Sequence, residues 1–402
     1  MGAPPQSRDG FEIAIVCALP REYDAVSHVI DEFWEERNYG RAVGDPNTYA
    51  NGRIGEFNIV LVLLSGMGKV SAASASASLR TSYLNLEFVL LTGICAGVPS
   101  SITDEDLLLG DVIISNSVVQ YDLGRQYPGK FETKDTLDDS LGRPTKNIRN
   151  FVAMFQTRRE RDKLEDRAAA CLLELQTQTL GKRRAANYQY PGASNDHLFE
   201  ESYLHKHHPS SNQSCTTCND GPEAVCDASR KLSCKDTKCD LHQLIHRKRL
   251  DKNQRLETLG RLQEAQAPYV FLGRFGSADK VVKSEEYRDK IAKEHGLVGF
   301  EMEGAGVWDE IPCIVVKGVC DYADSHKNKN WQDFAAATAA SVAKALVERY
   351  PRTDKPDKPR DNNNDGREGV GSVSGPVFHG TTSGNKIVTG ISSSGGTQTY
   401  NF

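Results

Sequence analysis

Residues 59–83 read IVLVLLSGMGKVSAASASASLRTSY. The apolar run 59–64 suits a buried strand, Ser65-Gly66-Met67-Gly68-Lys69 a tight turn, and the Ser/Ala-rich stretch from Val70 to about Tyr83 a helix. Strand, glycine turn and helix in that order are the repeating unit of an α/β fold with a mostly parallel sheet. The same alternation extends outward from this unit. Residues 13–19 (IAIVCAL) form a strand stopped by Pro20 and followed by a helical stretch over 21–34. Residues 88–92 form a strand ending in Gly93-Ile94-Cys95-Ala96-Gly97-Val98, and 109–119 another behind Gly110-Asp111. Strand-like order returns at 269–272, 299–302 and 313–319 (CIVVKGV). A last helix over 331–350 puts Trp331, Phe334, Ala335, Thr338, Val342 and Leu346 on one face. In such folds ligands gather at the carboxyl ends of strands, so these turns are where chemistry is sought.

The chain has 402 residues, which suggests two to three domains or one large α/β unit. The pattern favours the latter: a domain over 11–350 swollen by a polar insertion at about 131–268, whose convincing helical region is 147–175. Residues 1–10 read as a disordered lead. Residues 351–368 (PRTDKPDKPRDNNNDGRE) hold five basic residues, five acidic ones and three prolines, a tether over about 351–370. Residues 371–402 interleave Phe378, Ile387, Val388, Ile391, Tyr400 and Phe402 with Gly, Ser, Thr and Asn, a composition suited to stacked cross-β. No apolar run approaches a membrane span of about 18 residues. With 49 Lys+Arg against 54 Asp+Glu, net charge −5, there is no basic excess for duplex nucleic acid. The start of the chain lacks a secretory signal, so a cytoplasmic protein is expected.

Three acids stand at strand ends or beside glycines: Glu22, Glu303 in Phe300-Glu301-Met302-Glu303-Gly304, and Asp321. Partial burial there can raise a carboxyl's pKa into the range useful for acid or base work. The Ser65–Lys69 loop lacks the spacing of a Walker A loop and on its own is a strand-to-helix turn. Of the ten cysteines, Cys17, Cys95, Cys171, Cys313 and Cys320 sit in apolar segments as small buried residues. Cys215, Cys218, Cys226, Cys234 and Cys239 crowd a polar stretch with His205, His207, His208, His242 and His246. A polar loop with reduced thiols is the plainer reading of it. A structural zinc in the insertion is the alternative, with Cys215, Cys218, Cys226 and Cys234 as ligand candidates, and no cofactor is required for the chemistry.

Taken together, Ala18-Leu-Pro-Arg-Glu22, Ser65–Lys69, Thr92–Gly97, Glu301-Met302-Glu303 and Asp321 resemble, in order, the motifs of the nucleoside phosphorylase and nucleosidase superfamily, adenosine-type nucleosidases in particular. The resemblance covers about 11–130 and 265–350. It implies a nucleoside phosphorylase-like three-layer α/β fold, a central mixed β-sheet flanked by helices. It also implies roles: Asp321 as general acid at purine N7, Glu22 activating water, and Glu303 holding the ribose hydroxyls. Met67 and Met302 would pack on the sugar, Gly68 and Glu301 would line the same pocket, Cys95-Ala96-Gly97 would lie along base and ribose, and Val281 with Val282 would meet the purine. Glu22 favours hydrolysis, while Arg21 beside it keeps phosphorolysis open.

Tyr190–Phe199, Gln120–Arg125 and Cys320–Lys327 further resemble nucleosidase-like effector domains attached to fungal NLR-type immune receptors. Some members of that branch cleave ATP to adenine and ribose 5′-triphosphate, and the tail resembles short amyloid-forming motifs that link effectors to such receptors. A cell-death effector activated by assembly, an NLR-type partner and a homo-oligomer are therefore implied. Arg125, Lys130, Arg143, His326 and Lys327 are the candidate cations for a triphosphate. One departure stands out: where the branch leads one to expect Ser-Gly-Asn, this chain has Ser277-Ala278-Asp279, an acid that either reads a base edge or caps a turn.

Overall fold

The computed structural model describes residues 3–99, 105–134, 136, 138–184, 186–208, 215–221, 224–352, 379–383, 386–393 and 396–398. The first of its two units, Met1–Tyr350, is built on a nine-stranded mixed sheet. Its amino-terminal part contains β1 (Ile13–Cys17), α1 (Pro20–Val29), β2 (Glu32–Phe33), β3 (Tyr49–Ile54), β4 (Phe57–Leu63), α2 (Lys69–Ser82), β5 (Phe88–Gly97) and β6 (Val112–Gln120). A hairpin, β7 (Gly124–Tyr127) and β8 (Lys130–Thr133), forms its own two-stranded sheet. There follow α3 (Lys146–Met154), α4 (Arg158–Thr179), the short helices α5 (Thr216–Asn219) and α6 (Cys234–Thr237), then α7 (Lys248–Thr258) and α8 (Leu262–Ala265). The sheet resumes with β9 (Val270–Ser277), followed by α9 (Glu285–His295), β10 (Leu297–Glu301), α10 (Gly304–Glu310), β11 (Cys313–Asp321) and α11 (Gln332–Arg349).

The strand order is β10-β9-β6-β11-β5-β1-β4-β3-β2, and β10 also pairs with the end of β5 through Gly299–Gly97 and Phe300–Ala96. The sheet therefore curls so that its edge strand meets its long central strand. β1 and β11 run parallel to β5 on either side of it. All five residues of β1 and all nine of β11 are buried, as expected of strands covered on both faces, although β11 carries Lys317 and Asp321 within its apolar run. Two groups of helices flank the sheet: α1 and α4 pack on α11, which lies on β5 and β11, while α2 packs on α10, which touches β6, β9 and β11. The class is the three-layer mixed α/β fold expected from the sequence.

Several local expectations change. α11 is buried from Phe334 through Val347, not along one stripe, because alanines on its other faces admit α1 and α4. The region 131–268 is not peripheral throughout. Leu164, Ala168, Leu172 and Leu175, at helical spacing on α4, join the main core together with Phe151 and Val152 of α3. Arg167 Nε also meets Glu348 Oε2 of α11 at 2.6 Å, and Arg349 pairs with Glu160. Nor is the described part of the lead, residues 3–10, without structure. Pro5 carbonyl accepts from Arg37 Nη1 and Tyr39 Oη, both at 3.0 Å, and Arg8–Gly10 form a 3-10 turn.

The tether, apart from Pro351 and Arg352, lies outside the described residues. In the second unit, Pro351–Phe402, the backbone of β12 (His379–Ser383), β13 (Lys386–Ser393) and β14 (Gly396–Gln398) forms an antiparallel meander. Among the described residues no helix is long and apolar enough to cross a membrane.

Candidate active site

Pro20 opens α1 at its first position, where its missing N–H costs nothing, and that places Glu22 at the third. Glu22 Oε2 accepts from the N–H groups of Ala18 and Leu19, each at 2.9 Å, so the side chain caps its own helix. Its Oε1 reaches across to β5 and accepts from Ile94 N–H at 2.8 Å. The approach is possible because residue 93 is glycine: a Cβ there would lie 2.1 Å from Glu22 Oε1. Burial pushes the Glu22 carboxyl above its ordinary value, against the pull of Lys317, and Glu303 adds to the rise.

Lys317 is the group the sequence reading missed. It lies in the middle of β11, opposite Gly93, and is fully buried. Its Nζ stands 3.5 Å from Glu303 Oε2. Burial opposes its charge, but Glu22, Glu303 and Glu301 outweigh that and hold its pKa above the lysine norm. A lysine inside CIVVKGV was the available signal, since an unpaired charge in such a strand is prohibitively costly.

Glu301 ends β10, and its Oε2 accepts from the N–H groups of Glu303 (2.9 Å) and Gly304 (2.6 Å), capping α10. Its carboxyl, too, is raised by burial and pulled back by Lys317. The turn so fixed carries half-buried Met302 and aims Glu303 Oε1 at Gly68 N–H, 3.2 Å away. Gly68, at φ +102°, is the residue before α2. The next N–H, Lys69, donates to Asp279 Oδ1 at 2.9 Å, and Asp279 N–H donates to Asp122 Oδ2 at 3.0 Å. Lys69 Nζ closes the set on Asp122 Oδ1 at 2.5 Å. Asp279 thus caps the first turn of α2 from a distant part of the chain, a capping role where the sequence offers a turn cap or a base contact.

Asp321 ends β11 opposite Ala96. Its Oδ1 accepts from Ala323 N–H at 2.9 Å, an Asx turn, and its Oδ2 lies 3.1 Å from Lys327 Nζ. Thus Glu22 bears on Gly93–Ile94 and Asp321 pairs with Ala96 of one strand, and Lys317 links Glu303 to the Glu22 end. Cys95 and Gly97 are buried in that strand, and Ala96 is half-buried. Met67 and Val281 are exposed, whereas Val282 packs into a small core with Val98, Tyr121 and Phe300.

Of the five candidate cations, Lys327 alone contacts a catalytic candidate among the described residues. Arg125 is exposed on β7, and Lys130 pairs with Glu132 at 2.8 Å. Arg143 lines a cavity of about 1040 Å³ beside β6 and β9, with none of Glu22, Glu303 or Asp321 in its wall. His326 is buried in a cysteine–histidine group, which removes it from the triphosphate set. Arg21 Nη1 is taken by Asp333 at 2.5 Å.

The cysteines divide in a way their spacing did not show. All ten are free thiols. The ligand atoms of His205, Cys234, Cys239 and His326 lie within 4.8 Å of one another, and so do those of His207, Cys215, Cys218 and Cys226. The four ligand candidates from the sequence are therefore not one set: Cys234 belongs to the other group. His246 pairs with Asp251 at 2.7 Å instead.

Residues 12–177 match the family model of the phosphorylase superfamily. That span holds Glu22 and both glycine motifs and runs through most of α4, while Glu303 and Asp321 lie beyond it. A nucleotide-binding leucine-rich repeat (NLR)-like protein of Hyaloscypha variabilis is 28% identical over 350 residues, 86% of this chain and 30% of that protein. A 5′-methylthioadenosine/S-adenosylhomocysteine nucleosidase of Geobacillus sp. is 29% identical over 152 residues, 35% of this chain and 60% of that enzyme. The chain thus spans less than two thirds of the length of either relative. Among solved structures, the futalosine hydrolase of Helicobacter pylori aligns with 85% of this chain and 99% of its own, at TM-score 0.47 and 14% identity. A 5′-methylthioadenosine/S-adenosylhomocysteine nucleosidase from S. pneumoniae aligns with 84% and 99%, at TM-score 0.46 and 16% identity.

Proposed function

We propose that the chain hydrolyses the N-glycosidic bond of a purine nucleoside or nucleotide, and that its substrate is ATP, giving adenine and ribose 5′-triphosphate. The observation that carries this reading is the placement of two carboxyl groups, Glu22 and Asp321, along one buried strand, with Glu303 linked to Glu22 through Lys317. Cleavage needs help at both ends of an oxocarbenium-like transition state. Glu22 takes a proton from water as its oxygen bonds to the anomeric carbon. The bond to the base breaks with its electron pair moving into the purine, and Asp321 supplies a proton at N7. Lys327, 3.1 Å from Asp321, balances the carboxylate that remains. Glu303 holds the ribose hydroxyls, an interaction that strengthens as charge develops on the sugar.

Water rather than phosphate is supported by Arg21, whose guanidinium is engaged by Asp333. ATP as the nucleotide rests on the resemblance to the effector branch and on the likeness to the NLR-like protein. On the same basis the chain acts as a homo-oligomeric cell-death effector, recruited to an NLR-type receptor through residues 371–402. Incubation with ATP, adenosine or 5′-methylthioadenosine, with and without phosphate, and chromatography of free adenine test the reading. Adenine release that requires phosphate would make the chain a phosphorylase, and none from any substrate would leave a nucleotide-binding scaffold.

A further inference from the structure

We propose that the chain binds two zinc ions in tetrahedral sulfur–nitrogen sites, and that one of them ties the loop following Asp321 to the segment that contains residues 205–239. The ligands of the first site are His205 Nδ1, Cys234 Sγ, Cys239 Sγ and His326 Nδ1. Those of the second are His207, Cys215, Cys218 and Cys226.

The geometry is that of a metal site before any ion is placed. Zinc bonds of about 2.3 Å to sulfur and 2.0–2.1 Å to nitrogen, at tetrahedral angles, hold S and N about 3.5–3.6 Å apart. In the first group the four such separations are 3.6 and 3.6 Å from Cys234 and 3.5 and 3.7 Å from Cys239. In the second, His207 Nδ1 stands 3.6 Å from Cys218 Sγ and 3.4 Å from Cys226 Sγ.

The second nitrogen of each histidine in the first site argues the same way. His205 Nε2 lies 3.0 Å from Leu232 carbonyl and His326 Nε2 lies 2.7 Å from Tyr203 carbonyl. A carbonyl only accepts, so each Nε2 carries the hydrogen and each Nδ1 turns a lone pair on the cysteine sulfurs, the outer-shell arrangement of metal-bound imidazole. Softness of the donors and their number favour zinc over magnesium or calcium.

His205 and His207 alternate between the sites, so one short segment bridges both. Cys234 opens α6, and Cys239 follows the turn at Lys238, φ +54°, that ends it. His326 comes from elsewhere, five positions after Asp321, and Phe199 stacks on its ring at 4.0 Å. The same loop is also held at Tyr322, whose Oη donates to Asp196 Oδ1 at 2.9 Å and accepts from Arg247 Nη1 at 2.6 Å. Metal bound by the first site thus makes His326 a positioning residue for Asp321 and Lys327, a consequence that rests on the hydrolase reading. The metal sites themselves do not.

Elemental analysis of the full chain, purified under reducing conditions without chelator, is expected to find two zinc ions per chain. Cys215→Ser/Cys218→Ser and Cys234→Ser/Cys239→Ser should each leave one. Where a variant fails to fold, cobalt(II) titrated into the metal-stripped wild-type chain should give thiolate-to-cobalt absorption that saturates at two equivalents. His326→Ala should lower the maximal rate of adenine release and lose one zinc, and His326→Cys, which keeps a ligand, should restore both. A folded wild-type chain free of metal that binds no cobalt, or both double variants retaining two zinc ions, would overturn the proposal. No adenine release from ATP, adenosine or 5′-methylthioadenosine by a wild-type chain holding two zinc ions would refute the hydrolase reading and leave the metal sites standing.

Discussion

Lys317 Nζ lies 3.5 Å from Glu303 Oε2 in a wholly buried part of β11, opposite the glycine over which Glu22 is folded. One cation thus serves Glu22, Glu301 and Glu303, and the charge state of the site depends on it.

Replacing it has two readable effects. In the proposed reaction water activation needs Glu22 ionised, so the rate should rise with pH through the Glu22 pKa, which burial has already raised. Lys317 opposes that rise, so Lys317→Met should move the acidic limb of the kcat/KM profile to higher pH. The variant should also be destabilised by about 3–5 kcal/mol at neutral pH, the cost of leaving buried carboxylates without their partner. Because the folded-state pKa values of Glu22 and Glu301 are raised, the native state is favoured with these carboxyls protonated. The destabilisation should therefore be larger at pH 8 than at pH 5, as denaturant titration at both values will show. An unmoved acidic limb would contradict the role given to Lys317.

Gly93 is expected to be intolerant of any side chain. A Cβ at 2.1 Å from Glu22 Oε1 must displace the carboxylate from Ile94 N–H. Gly93→Ala should lower kcat by one to several powers of ten and cost about 1–3 kcal/mol of stability through overpacking. Full activity in this variant would show that Glu22 need not bear on β5.

Asp279 offers a test of a different kind. As a cap of α2 it should lose about 0.5–2 kcal/mol on conversion to alanine. The ratio of rates for adenosine and inosine should stay the same if the carboxylate serves Lys69 N–H alone. A changed ratio with unchanged stability would return Asp279 to the base pocket.

The alternation of strands and helices was legible because parallel strands are buried on both faces and so appear as apolar runs, as in β1 and β11. β5 was longer than its apolar run suggested: Gly93 and Gly97 read as loop, yet they continue the ladder opposite Lys317 and Gly299. β3 escaped notice since Asn51, Gly52 and Arg53 break the apolar pattern of a strand whose residues are mostly half-buried. Glu22, Glu303 and Asp321 could be named because motif order survives along the chain. What the chain order hides is contact at long range. The Asp279–Lys69 cap spans 210 positions, and His326 meets cysteines about 90 positions away, so the capping role and the division of the cysteines emerge only in three dimensions.

The central claim is that Glu22 and Asp321 together hydrolyse an N-glycosidic bond. The most direct test follows free adenine from ATP in phosphate-free buffer for the wild-type chain, Glu22→Gln and Asp321→Asn, with circular dichroism confirming that each is folded. The account predicts steady adenine release by the wild-type chain, and losses of about 10²–10⁴-fold in kcat for each variant. Equal rates in all three, or adenine release only when phosphate is added, would contradict it.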